Sequence, residues 1–193
     1  MQSKLAVKKL FVTIGLFLVA TLIIARPCHA ADQTTHIEVN TTERNLTVWA
    51  GNKAIRHYRN IAIGSGGVSE VHYQGDESTP LGEYTVLWIN RDSPFDIFVA
   101  LNYPNRKHAD LALKAGHLSL EEYRSITAAS RYNARPPFNT ALGGRIGIHG
   151  IGLGNRQIHE IANWTNGCVA LTNEEMRELV QWIHVGTKVT IRR

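Results

Sequence analysis

The stretch Trp164-Thr165-Asn166-Gly167-Cys168-Val169-Ala170-Leu171-Thr172-Asn173-Glu174-Glu175-Met176 decides how the chain is read. Its second half starts a helix. Thr172 and Glu175 have the spacing of a capping box, and Leu171 and Met176 that of a hydrophobic staple. Met176, Leu179, Val180 and Ile183 then recur at helical spacing, which predicts one apolar face running toward a stop at Gly186. Its first half carries chemistry. Cys168 follows a glycine and lies four residues before the cap. Glycine permits a tight turn and brings bare N–H groups close to whatever meets the sulfur.

Working outward, Lys188–Arg192 alternates, with Val189 and Ile191 expected inward. Upstream, Thr35–Asn40 and Leu46–Ala50 also alternate, and a turn at Gly51-Asn52 leads to a further strand over Arg56–Ile63. Gly64–Gly67 reads as a loop, and Gly82–Ile89 and Phe95–Leu101 as strands. Ser119 and Glu122 form a second capping box, with Leu118 and Tyr123 as its staple. A weaker helix covers Lys107–Ala115. Arg145–Gly150 is a short strand, with Ile146 and Ile148 on one side and His149 on the other. The sum is α+β: mainly β, mixed sheets or a β-sandwich with a few packed helices, in one domain.

The N-terminus reads differently. Lys4, Lys8 and Lys9 precede the uncharged, apolar run Leu10–Ala25, and Cys28-His29-Ala30 offers small residues at a cleavage site. This is the layout of a secretory signal peptide over residues 1–30, cut after Ala30. An uncleaved anchor is the alternative, although the run is short for a span of ~20 residues. A lipoprotein is disfavoured, because Arg26-Pro27 stand before Cys28 where small residues belong. The chain has 21 Lys and Arg against 16 Asp and Glu. Lys4, Lys8, Lys9 and Arg26 all lie before residue 31, so the remainder carries 17 against 16. That balance gives no basis for nucleic-acid binding. Without Cys28, Cys168 is the only thiol, so no internal disulfide can form.

A lone thiol in an exported protein is either buried and inert or kept for reactivity. A reactive cysteine needs a base that lowers its pKa by forming a thiolate–imidazolium pair. His149 can serve if the loop 151–163 folds back. His159, in a polar part of that loop, competes for the role. His36, His57, His72, His108, His117 and His184 read as surface or core residues. Cys168 and His149 would be two metal ligands with no third at zinc-like spacing, and no cofactor is implied. Tyr84, Trp88, Tyr103 and Trp164 are candidate groove walls. Arg145, at the start of the His149 strand, is a candidate carboxylate partner.

Ile148-His149-Gly150 followed by Trp164–Thr172 resembles the L,D-transpeptidase catalytic domain (YkuD) family. Thr79-Pro80-Leu81-Gly82-Glu83-Tyr84 is similar to its Thr-Pro-x-Gly-x-aromatic segment. Asn102-Tyr103-Pro104-Asn105 and Leu142-Gly143-Gly144 are similar to elements of one branch. The resemblance spans 36–192. It implies a YkuD-like fold and a cysteine that attacks the third-residue carbonyl of a peptidoglycan stem peptide, releases D-alanine and leaves a thioester. An amine acceptor then takes the acyl group, a wall-linked lipoprotein being one such partner in some members. By position, Cys168 would be the nucleophile and His149 the base. Gly150 would orient the base, and Gly167 and Cys168 would supply oxyanion-hole N–H groups. Trp164, Arg145 and Tyr103 are the candidate substrate contacts. Many members carry histidine two before the cysteine and arginine two after it, where this chain has Asn166 and Ala170. The missing guanidinium leaves transfer and hydrolysis both open, with an L,D-carboxypeptidase or amidase as the alternative enzyme. A non-catalytic wall-binding module is the third reading. All three place the protein in the periplasm or cell envelope.

Overall fold

The computed structural model describes residues 35–193. The expected signal peptide lies outside them. In chain order the elements are β1 (Thr35–Asn40), β2 (Asn45–Ala50), β3 (Lys53–Arg59), β4 (Val68–Ser69), β5 (Thr79–Pro80), β6 (Gly82–Ser93), β7 (Asp96–Leu101), α1 (Arg106–Lys114), α2 (Leu120–Arg131), β8 (Gly147–Gly150), α3 (Arg156–Ile161), β9 (Val169–Leu171), α4 (Asn173–Leu179) and β10 (Lys188–Arg192).

Eight strands form one mixed sheet in the order β3-β2-β1-β10-β6-β7-β8-β9, while β4 and β5 form a separate parallel pair. The β1–β10 and β8–β9 pairs are parallel, and the other neighbours in the large sheet are antiparallel. Alternation decides which face packs. Val48, Ile37, Val189 and Tyr84 stand in one row across β2, β1, β10 and β6, and all four are buried. Each such aliphatic side chain removed from water contributes roughly 1.5–3 kcal/mol. The twelve-residue β6 holds the halves together: its first part pairs with β10 and the rest with β7.

Both helix caps form as expected. Ser119 with Glu122 and Thr172 with Glu175 make reciprocal capping boxes. The staple residues Leu118, Leu171 and Met176 are buried. Helices α1 and α2 fill the connection between the antiparallel neighbours β7 and β8, a link that a short turn could otherwise make.

Three differences have physical causes. Helix α4 ends at Leu179, well short of Gly186. Gln181 and Trp182 donate to Glu178 and Leu179 carbonyls three residues back, so tight turns end the helix. Ile183 still reaches the core through them. The third strand covers Lys53–Arg59 and stops before the predicted Ile63. Asn60 turns left-handed there (φ 55°). Ala62 then exchanges backbone bonds with Ala170 at 3.0 and 2.7 Å, which covers the outer edge of β9. The third difference is α3, in a stretch expected to be loop; its cap is Asn155, whose side chain accepts from Ile158 N–H.

Candidate active site

Two rows of residues cross the sheet from β6 to β9. Asn90, Phe98, His149 and Ala170 are successive cross-strand partners. Trp88, Ala100 and Gly147 form the row beside them, and the β8–β9 register continues it to Cys168. Two-residue periodicity puts both rows on one face, while Val99, Ile148 and Val169 point into the core. His149 on β8 and Cys168, the residue just before β9, are thus diagonal neighbours. Both line a cavity of about 640 Å³ walled by Trp88, Phe95, Phe98 and Trp164 among others.

The turn that carries Cys168 is tightly held. Thr165 Oγ1 donates to the Cys168 carbonyl at 2.6 Å and accepts from Gly167 N–H at 3.2 Å. Gly167 has φ +118°, and a Cβ there would meet the Ser78 carbonyl at 2.7 Å. Only glycine suits both the conformation and the space. The thiol lies 3.5 Å from the carbonyl of Arg145, which is itself left-handed at φ 61°. His72 sits buried beneath this turn, near the Gly167 α-carbon, with Nδ1 2.8 Å from the Ser78 carbonyl and 2.7 Å from Asp76 Oδ1.

His149 is buried among aromatic rings, with Phe95 at 4.3 Å, Trp164 at 5.8 Å and Phe98 at 6.2 Å between centroids. Its Nδ1 lies 2.7 Å from the Gly150 carbonyl. A carbonyl only accepts, so the proton sits on Nδ1 and Nε2 keeps a free lone pair. Burial holds the His149 pKa below its usual value and pushes the Cys168 thiol up to about 11. At that value about one thiol in 10⁴ is ionised at pH 7. Burial thus disfavours the charged form of each group, against the thiolate–imidazolium pair expected from the sequence.

Cys168, His149, Trp164 and Arg145 all line this cavity. Gly150 accepts from His149 through its carbonyl. Gly167 N–H is engaged by Thr165, whereas among the described residues no acceptor pairs with Cys168 N–H. Cys168 N–H is thus the donor left open at this turn. Tyr103 touches the cavity but is 1% exposed, and its hydroxyl donates to the His72 carbonyl at 2.5 Å. It supports the floor under the cysteine turn, where a substrate contact had been expected. Tyr84 lies away from the site, stacked on His108 with its hydroxyl bonded to the Pro80 carbonyl. His159 is buried on α3 instead of lying in a polar loop. It accepts from Trp164 Nε1 at 3.3 Å, which makes it a prop for the cavity wall. Thr165, Phe98 and Phe138 were not anticipated. Alternation along β7 carries the signal for Phe98, whereas Thr165 and Phe138 lie in turns with no periodicity.

The family profile for the L,D-transpeptidase catalytic domain (YkuD) matches residues 34–191. Among solved structures, the chain is similar to the helical cell shape determining protein Pgp2 from Campylobacter jejuni, with a TM-score of 0.56 and 21% identity over 83% of this chain and 48% of that one. It is also similar to Bd1075 from Bdellovibrio bacteriovorus, with a TM-score of 0.51 and 20% identity over 83% of this chain and 48% of that one. At these identities the likeness is one of fold, and the chain spans about half the length of either relative. A search of curated proteins returns no match.

Proposed function

The chain belongs to the L,D-transpeptidase catalytic domain (YkuD) family, and from that premise we propose that Cys168 and His149 carry out acyl transfer on peptidoglycan stem peptides outside the cytoplasm. The observation that carries the reading is the placement of thiol and imidazole on one face, as diagonal neighbours, in a cavity able to hold a peptide. As the sulfur attacks the third-residue carbonyl, the Cys168 proton passes to His149 Nε2. Burial pushes the thiol pKa up, which favours proton transfer coupled to attack over a free thiolate. The oxyanion is met by Cys168 N–H. When the tetrahedral species collapses, the C–N bond breaks and His149 protonates the departing D-alanine amine. The thioester then meets an acceptor amine, whose proton returns to His149 as the C–S bond breaks, and the sulfur regains its hydrogen. A lysine of a wall-linked lipoprotein is one acceptor of suitable chemistry.

Hydrolysis of the same thioester is the second reading, and Ala170 favours it. This residue is fully buried, paired with His149 on one side and bonded to Ala62 on the other. It presents no guanidinium to hold an acceptor's carboxylate. The deciding experiment incubates residues 31–193 with disaccharide-tetrapeptide and weighs the products. A cross-linked dimer supports transfer; a tripeptide alone supports hydrolysis. Release of D-alanine by Cys168→Ala would sink both. A carbapenem should add covalently to Cys168, and an unchanged intact mass would favour a wall-binding module.

A further inference from the structure

The row Trp88–Ala100–Gly147–Cys168 runs at right angles to the strands. Between its ends stand only a methyl group and a glycine. A Cβ on Gly147 would meet the Phe98 ring at 2.7 Å, so that ring lies down over the row and forms an apolar floor. Three inter-strand steps separate Trp88 from Cys168, about 14 Å at ~4.8 Å per step. An arginine belongs to each end. Arg145 lies over the Phe138 ring at 4.3 Å, beside the nucleophile whose thiol its own carbonyl meets. Arg135 lies over the Trp88 ring at 4.1 Å.

Neither arginine has a carboxylate partner among the described residues, whereas Arg56, Arg156 and Arg177 do. Both line the cavity, and no Asp or Glu does. The site thus holds two planar cations, stacked on aromatic faces, with nothing of opposite sign to neutralise them.

We infer that the acyl donor lies extended along this row and carries two carboxylates, one bound by Arg145 near the attacked carbonyl and one by Arg135 at the far end. Arg135 is the specificity-determining residue for the second. The inference rests on the reading above, in which the leaving group is a single residue. The chain reaching Arg135 must therefore lie on the N-terminal side of the attacked carbonyl. At ~3.3 Å per residue, and after subtracting the arginine's reach and a hydrogen bond, the second carboxylate belongs roughly one to three residues away, as on a branch of the residue next to the attacked one. Such a donor is an acidic peptide stem.

The test uses two disaccharide-tetrapeptides that differ only at the carboxylate of the second stem residue, free in one and amidated in the other. Wild-type protein should turn over the free acid with kcat/KM roughly 10- to 100-fold above the amide, as expected for one charge-assisted pair. The difference should lie mainly in KM. Arg135→Gln should reduce the preference for the acid over the amide to about one, and Arg135→Lys should recover part of it. Equal turnover of the two donors by wild type, or an equal loss on both in Arg135→Gln, overturns the inference. Release of D-alanine from neither donor overturns the cell-wall reading instead. Calorimetry with the Cys168→Ala protein then decides for Arg135: tighter binding of the acid supports it, and equal affinity overturns it.

Discussion

Thr165→Val removes one oxygen and keeps the shape of the side chain. Among the described residues, that oxygen is the only side-chain atom bonded to both Gly167 and Cys168, donating to Cys168 O at 2.6 Å and accepting from Gly167 N at 3.2 Å. Thr165 is 3% exposed, so water cannot readily replace it. Two backbone groups then lose their partner, at about 1–3 kcal/mol each when fully buried. Cys168 is half-buried, which places the expected loss near 2–4 kcal/mol. The backbone bonds from Thr165 N to Ile63 O and from Ser65 N to Thr165 O remain, so the loop stays attached and the domain should still fold. Urea unfolding followed by tryptophan fluorescence should show a lower midpoint with an unchanged slope. Acylation of Cys168, followed by intact mass, should slow at least tenfold, because sulfur and donor N–H both ride on this turn. Thr165→Ser keeps the hydroxyl and should restore most of both. Wild-type midpoint and rate in Thr165→Val would refute the reasoning. Faster acylation would refute it in another way, by showing that Thr165 holds back Gly167 N–H from the oxyanion.

Gly167→Ala should be destabilised by about 2–5 kcal/mol in the same assay, from left-handed strain plus the 2.7 Å approach to Ser78 O. His149→Ala should slow acylation ~10²–10⁴-fold. Because burial lowers the His149 pKa, wild-type acylation should persist below pH 6.5 and fall only at more acid pH; a midpoint above the ordinary histidine value would contradict this. His108 is buried between Tyr84, Asn105 and Leu81, and burial lowers its pKa to about 4. The unfolded chain binds this proton more readily, so stability is fully present above about pH 6.5. It is lost progressively down to pH 4, by ~3 kcal/mol in all. His108→Gln should flatten that part of the stability–pH curve, and an unchanged curve would show that other groups produce it.

The strands and capped helices were legible because each rests on local periodicity or on a reciprocal side-chain motif. Thr35–Asn40, Lys188–Arg192 and the two capping boxes need no distant partner to be recognised. The placement of Cys168 and His149 on one cavity was legible through motif resemblance and the face His149 takes in its strand. What escaped was set by tertiary partners. The end of α4 depends on turns that bury Trp182 and Ile183, and the truncated third strand on Ala62 turning to meet Ala170. Tyr103 and His159 look like site residues in sequence, yet their polar atoms are bonded to structural neighbours. Arg135 carried no local signal, since its meaning comes from the ring of Trp88, brought near by the connection between β7 and β8.

The placement of β10 between β1 and β6 bears on when the thiol acquires its surroundings. A chain that emerges N-terminus first delivers β1, β6 and finally Cys168 while the strand that must separate and join the two halves is still to come. The sheet cannot close until Lys188–Arg192 slides in beside Thr35–Asn40, a contact between distant parts of the chain. Synthesis order and strand order thus leave a gap: Cys168 is made before Lys188–Arg192, the strand that joins the two halves of the sheet around it.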